Sequence, residues 1–409
     1  MRVATVSVLM CLSLAAGLDA MTNFKPSPSA LSLSMNRDEK FDQWADDFDN
    51  GWDRSSPLIR YNRVEGVFLG YELKPDWRSL HYPERVFLFG STGYAFQAKE
   101  FEYQMGLEKG FFGDDRLAFS VEMHRLIDTP DRWIMPDTEN SLAAFLIKED
   151  FQDFYFREGW SATVSQTLGG LSASASYQFD KLDSIGATAS WSLFGGHKKF
   201  RANPAMTAGD LKSWVGRITL DTRDSKRDPD SGWLVEIEGE HAFDDLSFDR
   251  ILIDGRRYQP LGLGERLDLR VRFGSVSGDM PWERSFQLGG PSTLRGYPYK
   301  SFPAGPMRIG GNRMMLAQAE YRLGEGILEN NGILNGLRLV LFADAGWVGA
   351  ADSHKDFWEG FDNLTLKSIR SDVGAALMHE GGHLRLEVAR RTDTGHKPYV
   401  FWLRLNQAF

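Results

Sequence analysis

One spacing in this chain could carry bond-breaking chemistry, and it does not survive inspection of its surroundings. His379-Glu380-Gly381-Gly382-His383 matches the H-E-x-x-H pattern of zinc peptidases. That chemistry needs a helix, which sets both imidazoles one turn apart on one face with the glutamate as base. Two consecutive glycines between alternating apolar runs make a hairpin turn instead, so no metal site is expected there. A G-x-S-x-G nucleophile elbow does not occur, and that motif is the local signature of the serine α/β-hydrolases. His81, His124, His197, His241, His354 and His396 show no metal or triad spacing, and Cys11 is the only cysteine. The expectation is a protein that is not an enzyme and needs no cofactor and no metal.

The remaining chemistry is electrostatic. In GLRLVLFADAGWV, Leu337, Leu339, Leu341, Ala343, Ala345 and Trp347 fall on one face of an extended chain. Arg338, Phe342 and Asp344 fall on the other. If the apolar face meets lipid, Asp344 points into an enclosed lumen. A carboxylate in that position needs a partner, and arginine is the natural bidentate one.

The elements that hold such a residue follow from a period of two. LSASASYQFD places Leu171, Ala173, Ala175, Tyr177 and Phe179 opposite a fully polar face. RLDLRVRFG sets Leu267, Leu269, Val271 and Phe273 against Arg266, Asp268, Arg270 and Arg272. Such alternation means strands with one apolar and one polar face. A soluble sandwich buries the apolar faces, whereas a membrane barrel turns them to lipid. Strand length and number favour the barrel. Strands are expected near 61–73, 84–96, 99–109, 116–127, 159–168, 171–180, 184–194, 212–223, 233–243, 248–259, 266–277, 312–323, 336–348, 371–379, 383–391 and 399–409. That even set, mostly long enough to cross a bilayer at a tilt, reads as an all-β, sixteen-stranded antiparallel transmembrane β-barrel over residues 60–409. With the N-terminus in the periplasm, segments 278–311 and 349–370 fall outside, and the helix-bearing insertion 128–158 falls on the periplasmic side.

Composition and the first residues agree. The charge of -9 leaves no basic face for nucleic acid,. Met1-Arg2 followed by the uncharged run Val3 to Leu18 reads as a signal peptide over residues 1–20,. Residues 21–59 read as a leader in which Phe41, Trp44, Ala45, Phe48 and Trp52 recur at helical spacing,. The last strand alternates up to Phe409.

Between the eleventh and twelfth expected strands lies ERSFQLGGPSTLRGYPYKSFPAGPMRIGGN. Its LGGPSTLRGYP resembles the defining motif of the BamA/TamA-type outer-membrane insertase and translocator superfamily, whose members include bacterial surface antigen barrels. There a V-R-G-F/Y tip on the sixth extracellular loop folds back into the barrel. The tip here is Leu294-Arg295-Gly296-Tyr297, with Leu in place of Val. The family's strand motif is matched by Phe342, Asp344 and Gly346, and its D-x-R-D…P…G segment by Asp221, Arg223, Asp224, Pro229 and Gly232. A terminal aromatic resembles the address read by the outer-membrane assembly machinery, which points to Phe409.

The resemblance is strongest from residue 212 onward. It implies that Arg295 reaches Asp344 and holds the loop inside the barrel. It also implies localisation in the bacterial outer membrane, with the lipid bilayer, the assembly machinery and a polypeptide client (or lipid) as partners. The roughly forty residues between the signal and the barrel are too few for a POTRA module, so a member lacking POTRA domains is expected. A passive solute channel or a structural surface antigen is the alternative. Deleting Phe409 should leave synthesis intact but slow assembly, with the chain degraded in the periplasm. Heat-modifiable, membrane-integrated protein at normal levels after that deletion would contradict the address.

Overall fold

Sixteen runs with alternating faces pair, each with its neighbours in sequence, into one antiparallel sheet. The computed structural model describes residues 55–73, 86–111, 117–226, 228–262, 264–302, 310–324, 336–352, 356–362, 364–379, 384–393 and 398–405. The expected signal peptide, the expected leader up to residue 54, the expected turn at Glu380-Gly381-Gly382 and Phe409 lie outside the described residues. The first five strands are β1 (Ser55–Asn62), β2 (Gly66–Leu73), β3 (Val86–Ala95), β4 (Glu100–Phe111) and β5 (Leu117–Asp128). Helix α1 (Asp137–Ile147) precedes β6 (Tyr155–Leu168), β7 (Leu171–Ser184), β8 (Gly209–Asp221) and β9 (Gly232–Phe243). Then come β10 (Phe248–Gly262), β11 (Glu265–Gly278), β12 (Arg313–Arg322) and β13 (Leu337–Gly349). β14 (Arg370–His379), β15 (Arg385–Arg391) and β16 (Val400–Arg404) complete the sheet. Among the described residues, β1 and β16 do not pair with each other.

The two faces separate as the alternation requires. On β11, Leu269 and Val271 are exposed, whereas Arg266, Asp268, Arg270 and Arg272 are buried on the concave side. Inside, charges meet charges across strands. Asp254 of β10 accepts from Arg270 at 3.0 and 2.6 Å and from Arg272 at 2.6 Å. An uncompensated charge there would be costly, so the lumen is laced with pairs. The main apolar cluster also lies inside. Phe286, Leu288, Leu294 and Tyr297, from the segment after β11, pack with Val276, Met314 and Leu316 of the wall.

Three expectations need correction. The run 61–73 is not one strand but includes a hairpin turn, since β1 ends at Asn62 and β2 starts at Gly66. Asn62 Oδ1 accepts the backbone N–H groups of Val64 and Glu65 at 2.9 and 2.8 Å, and Gly66 takes φ +63°. This is side-chain turn chemistry that overrides the apolar run. The run 184–194 is not a strand beyond Ser184. Its donors go elsewhere: Thr188 and Ala189 to the carbonyl of Arg63, Leu193 and Phe194 to the carbonyls of Phe145 and Leu146. The strand number is unchanged because these two differences cancel.

The third correction follows from the first. With β1 and β2 separate, the α1 insertion connects an odd to an even strand, as the segment between β11 and β12 does. It therefore lies at the same end as that segment and not at the opposite one. Lys300 confirms the placement by pairing with Asp131 and Asp153, at 2.6 Å each.

The face assignment predicts that Val271→Arg destabilises the folded protein by about 2–4 kcal/mol, the cost of arginine at the bilayer midplane. Val271→Leu should be near neutral. Urea unfolding in lipid vesicles measures both, and a neutral arginine variant would mean that Val271 does not face lipid.

Candidate functional site

Arg295 is carried into the lumen by a tight turn. Gly289 and Gly290 sit at φ +113° and +100°, a backbone state that favours glycine,. Thr293 Oγ1 donates to the Gly290 carbonyl at 3.1 Å and accepts from the Gly289 N–H at 3.0 Å. The tip then packs against the wall formed by β14 and β15. A Cβ on Gly296 would lie 2.6 Å from Cβ of Asp372 and 3.0 Å from the backbone nitrogen of Arg391. No other residue fits there without moving backbone. At Gly346 a Cβ would come within 2.8 Å of the Leu288 side-chain tip and 3.4 Å of that of Leu294, so these two side chains of the loop would have to shift. The two motif glycines thus make room for the tip from both sides.

The Arg295 guanidinium is fully buried. Its Nε and Nη2 donate to the two carboxylate oxygens of Asp344, each at 2.7 Å, in bidentate geometry,. Nη1 pairs with Glu320 and lies 3.5 Å from Glu387. Its Cζ stands 3.5 Å from the centroid of the Phe342 ring, which adds a cation–π contact in a desolvated setting. Three carboxylates around one arginine would repel one another, and Arg385 offsets this. It donates to both oxygens of Glu320 at 2.8 and 2.7 Å and lies 2.6 Å from Glu387. Gln318 Nε2 ties the carbonyl of Thr293 to Asp344, at 2.9 and 3.1 Å. Trp402 of β16 donates its indole N–H to the Arg295 carbonyl at 2.8 Å.

Tyr297 packs edge-on against Phe302, with ring centroids 4.9 Å apart, and its hydroxyl donates to the Ser371 carbonyl at 3.3 Å. Leu294, Arg295, Gly296, Tyr297, Phe342, Asp344 and Gly346 are therefore brought together. The second motif group is not part of this cluster. Asp221 ends β8 and binds Arg223 at 2.9 and 2.8 Å. Asp224 accepts the N–H groups of Asp230 and Ser231 at 2.9 and 3.1 Å, which bends the chain through Pro229 to Gly232 at φ +119°. That turn closes the β8–β9 hairpin. Its Asp228 meets Arg266 and Arg322 at 3.1 and 3.0 Å, at the edge of the lumen.

Sequence reasoning missed Glu320, Arg385 and Glu387. Their lumen parity was readable from AEYR and LRLEVAR, but the identity of the charge they meet was not. A second ionic cluster caps the loop end, where Lys300 pairs with both Asp131 and Asp153. Burial alone would raise both carboxyls. At Asp153 the charges of Lys300 and Arg201 outweigh burial and hold it at about 2. At Asp131 burial and the Asp153 charge outweigh Lys300, and its pKa rises. Among the described residues, no group of three or more side chains could hold a metal ion.

A sheet with apolar residues outside, ion pairs inside and an inward-folded loop is that of an outer-membrane β-barrel. The Omp85 superfamily domain matches residues 151–409, and the chain belongs to that superfamily. No curated protein matches the sequence. Among solved structures, BamA from Haemophilus ducreyi lacking POTRA domains 1-3 shares the fold, with a TM-score of 0.55 and 13% identity over 86% of this chain and 70% of that one. CdiB from Acinetobacter baumannii aligns with 85% of this chain over 58% of its own, at a TM-score of 0.44 and 12% identity. The protein resides in the bacterial outer membrane.

Truncating either partner of the lock strands the other charge, which costs about 3–5 kcal/mol in a buried pair and less where lumen water enters. Arg295→Ala and Asp344→Ala should raise protease sensitivity of segment 279–302 equally, and the double variant should be no worse than either. Full additivity in that double-mutant cycle would show that the two residues do not act together.

Proposed function

We propose that this barrel inserts or translocates polypeptide, or lipid, at the outer membrane, with no bond made or broken. The observation that carries the reading is the lock itself, in a sheet whose first and last strands do not pair with each other among the described residues. Arg295 ties the inward loop to β12 and β13, and Trp402 ties it to β16. A client entering the lumen or leaving sideways between β1 and β16 would meet this loop first. On this reading the signal segment 1–20 exports the chain, and Phe409 addresses it to the assembly machinery.

A passive solute channel is less well supported. Two segments fold into the lumen from the loop end, and Trp133 lies 4.1 Å from Arg272, where a constriction would otherwise open. A purely structural surface antigen would not need a buried charge cluster on its last strands.

The test is reconstitution in lipid vesicles with a urea-unfolded outer-membrane barrel as client. The reading expects faster appearance of the heat-modifiable folded client than in empty vesicles, with a several-fold loss of that gain for Arg295→Ala. A steady ohmic conductance with no acceleration of folding would favour the channel.

A further inference from the structure

A sheet edge in lipid leaves donors and acceptors unpaired, and each is costly. At the seam between β1 and β16, which do not pair with each other among the described residues, one helix supplies partners to both edges. On the β1 side, the Tyr61 N–H donates to Ser141 Oγ at 3.2 Å. On the β16 side, the Leu405 N–H donates to Glu139 Oε1 at 2.6 Å, and Arg404 Nε donates to Glu139 Oε2 at 2.7 Å. Glu139 and Ser141 are two positions apart, which is about 200° around an α-helix. They therefore leave opposite sides of α1, one towards each edge strand. An α-helix with its side chains is about 10 Å wide, roughly twice the spacing of paired strands.

The helix is also turned inside out. Glu139, Asn140 and Ala144 are buried, whereas Leu142 and Phe145 are exposed. That is the polarity of the barrel wall, apolar to the outside, and not that of a helix on a soluble core. Phe145 packs edge-on against Tyr61 with centroids 5.6 Å apart, and against Trp191 at 5.2 Å. The inner side is pinned to the loop cap: Asn140 Nδ2 donates to Asp150 at 3.0 Å, and Asp150 pairs with Arg63 of the β1–β2 turn at 2.9 Å. Finally, Arg404 donates to Ser292 Oγ of the lock segment at 3.1 Å.

We infer that α1 is a strap wedged into the seam, and that the seam widens only when Glu139 releases Arg404 and the Leu405 N–H. Because Arg404 and Trp402 also hold the lock segment, release of the strap and loosening of the lock are coupled through β16. This rests on the seam reading above but is tested apart from it. Ile59 of β1 and Phe401 of β16, both exposed to the outside, take spin labels through cysteines in a Cys11→Ser background. The protein in lipid nanodiscs should give one narrow distance distribution. Glu139→Ala should broaden it and lengthen the mean by about 5 Å, one strand spacing. Arg404→Ala should do the same, and the pair together no more. Glu139→Gln keeps an acceptor for the Leu405 N–H and should fall between, which serves if the alanine variant fails to assemble. A distribution unchanged in Glu139→Gln and in Glu139→Ala overturns the strap.

A second measurement separates strap from function. Glu139→Cys with Arg404→Cys, assembled reduced and then oxidised in the presence of a short dithiol that spans the gap left by the two longer side chains, fixes the strap covalently. Loss of client folding on oxidation and recovery on reduction is expected. Equal activity in both states would overturn the requirement for strap release, even where the spin labels show that the strap sets the seam width.

Discussion

A carboxylate facing the inside of a membrane barrel must be compensated, and Asp344 is compensated by an arginine that does not come from the wall. That single ion pair dictates much else. It requires a segment long and glycine-rich enough to bring Arg295 down the lumen. It requires Gly296 where the tip passes the wall, because a methyl group there would collide with Asp372 and the Arg391 backbone, and it is eased by Gly346, where a methyl group would press on Leu288. It also gathers Glu320, Glu387 and Arg385 around itself, so that three strands, β12, β13 and β15, share one charge network. The cation over the Phe342 ring completes a site with hardly any access to water.

Desolvation makes such a network sensitive in both directions. Fully paired, it fixes one position of the loop. With one member removed, the remaining charges are left in a medium that does not solvate them. A lock of this kind is therefore suited to two states, seated or released, more than to gradual movement. The loop end adds a second layer. Asp131, Asp153 and Lys300 join the α1 insertion to the lock segment, and Phe151 packs edge-on against both Tyr299 and Trp402. The two inward segments and the last strand form one connected body across the seam.

Much of this was readable from the chain. Alternation gave the faces of β11 and β13, and with them the lumen direction of Asp344. What alternation reports is sidedness, however, and not pairing. That is why 184–194, which alternates well, reads as a strand although its donors serve Arg63 and the end of α1. The hairpin at Asn62 to Gly66 had a legible signal, an Asn and a Gly four residues apart, that the apolar run around it concealed. Losing that turn also inverted the side of the α1 insertion, since every connection up to the run 184–194 shifts with one miscounted strand. The contact of Glu139 with Arg404 had no signal at all. It joins residues 265 positions apart in sequence, and nothing local marks either one.

The central claim is that segment 279–302 is seated in the lumen while Arg295 and Asp344 are paired. Its most direct measurement uses Ser292→Cys, a near-isosteric change at a buried site, in a Cys11→Ser background. Intact cells are exposed to a membrane-impermeant maleimide, and the labelled fraction is read with and without Asp344→Ala. The account predicts almost no labelling while Asp344 is present and rapid labelling once it is removed. Rapid labelling with Asp344 in place would contradict it.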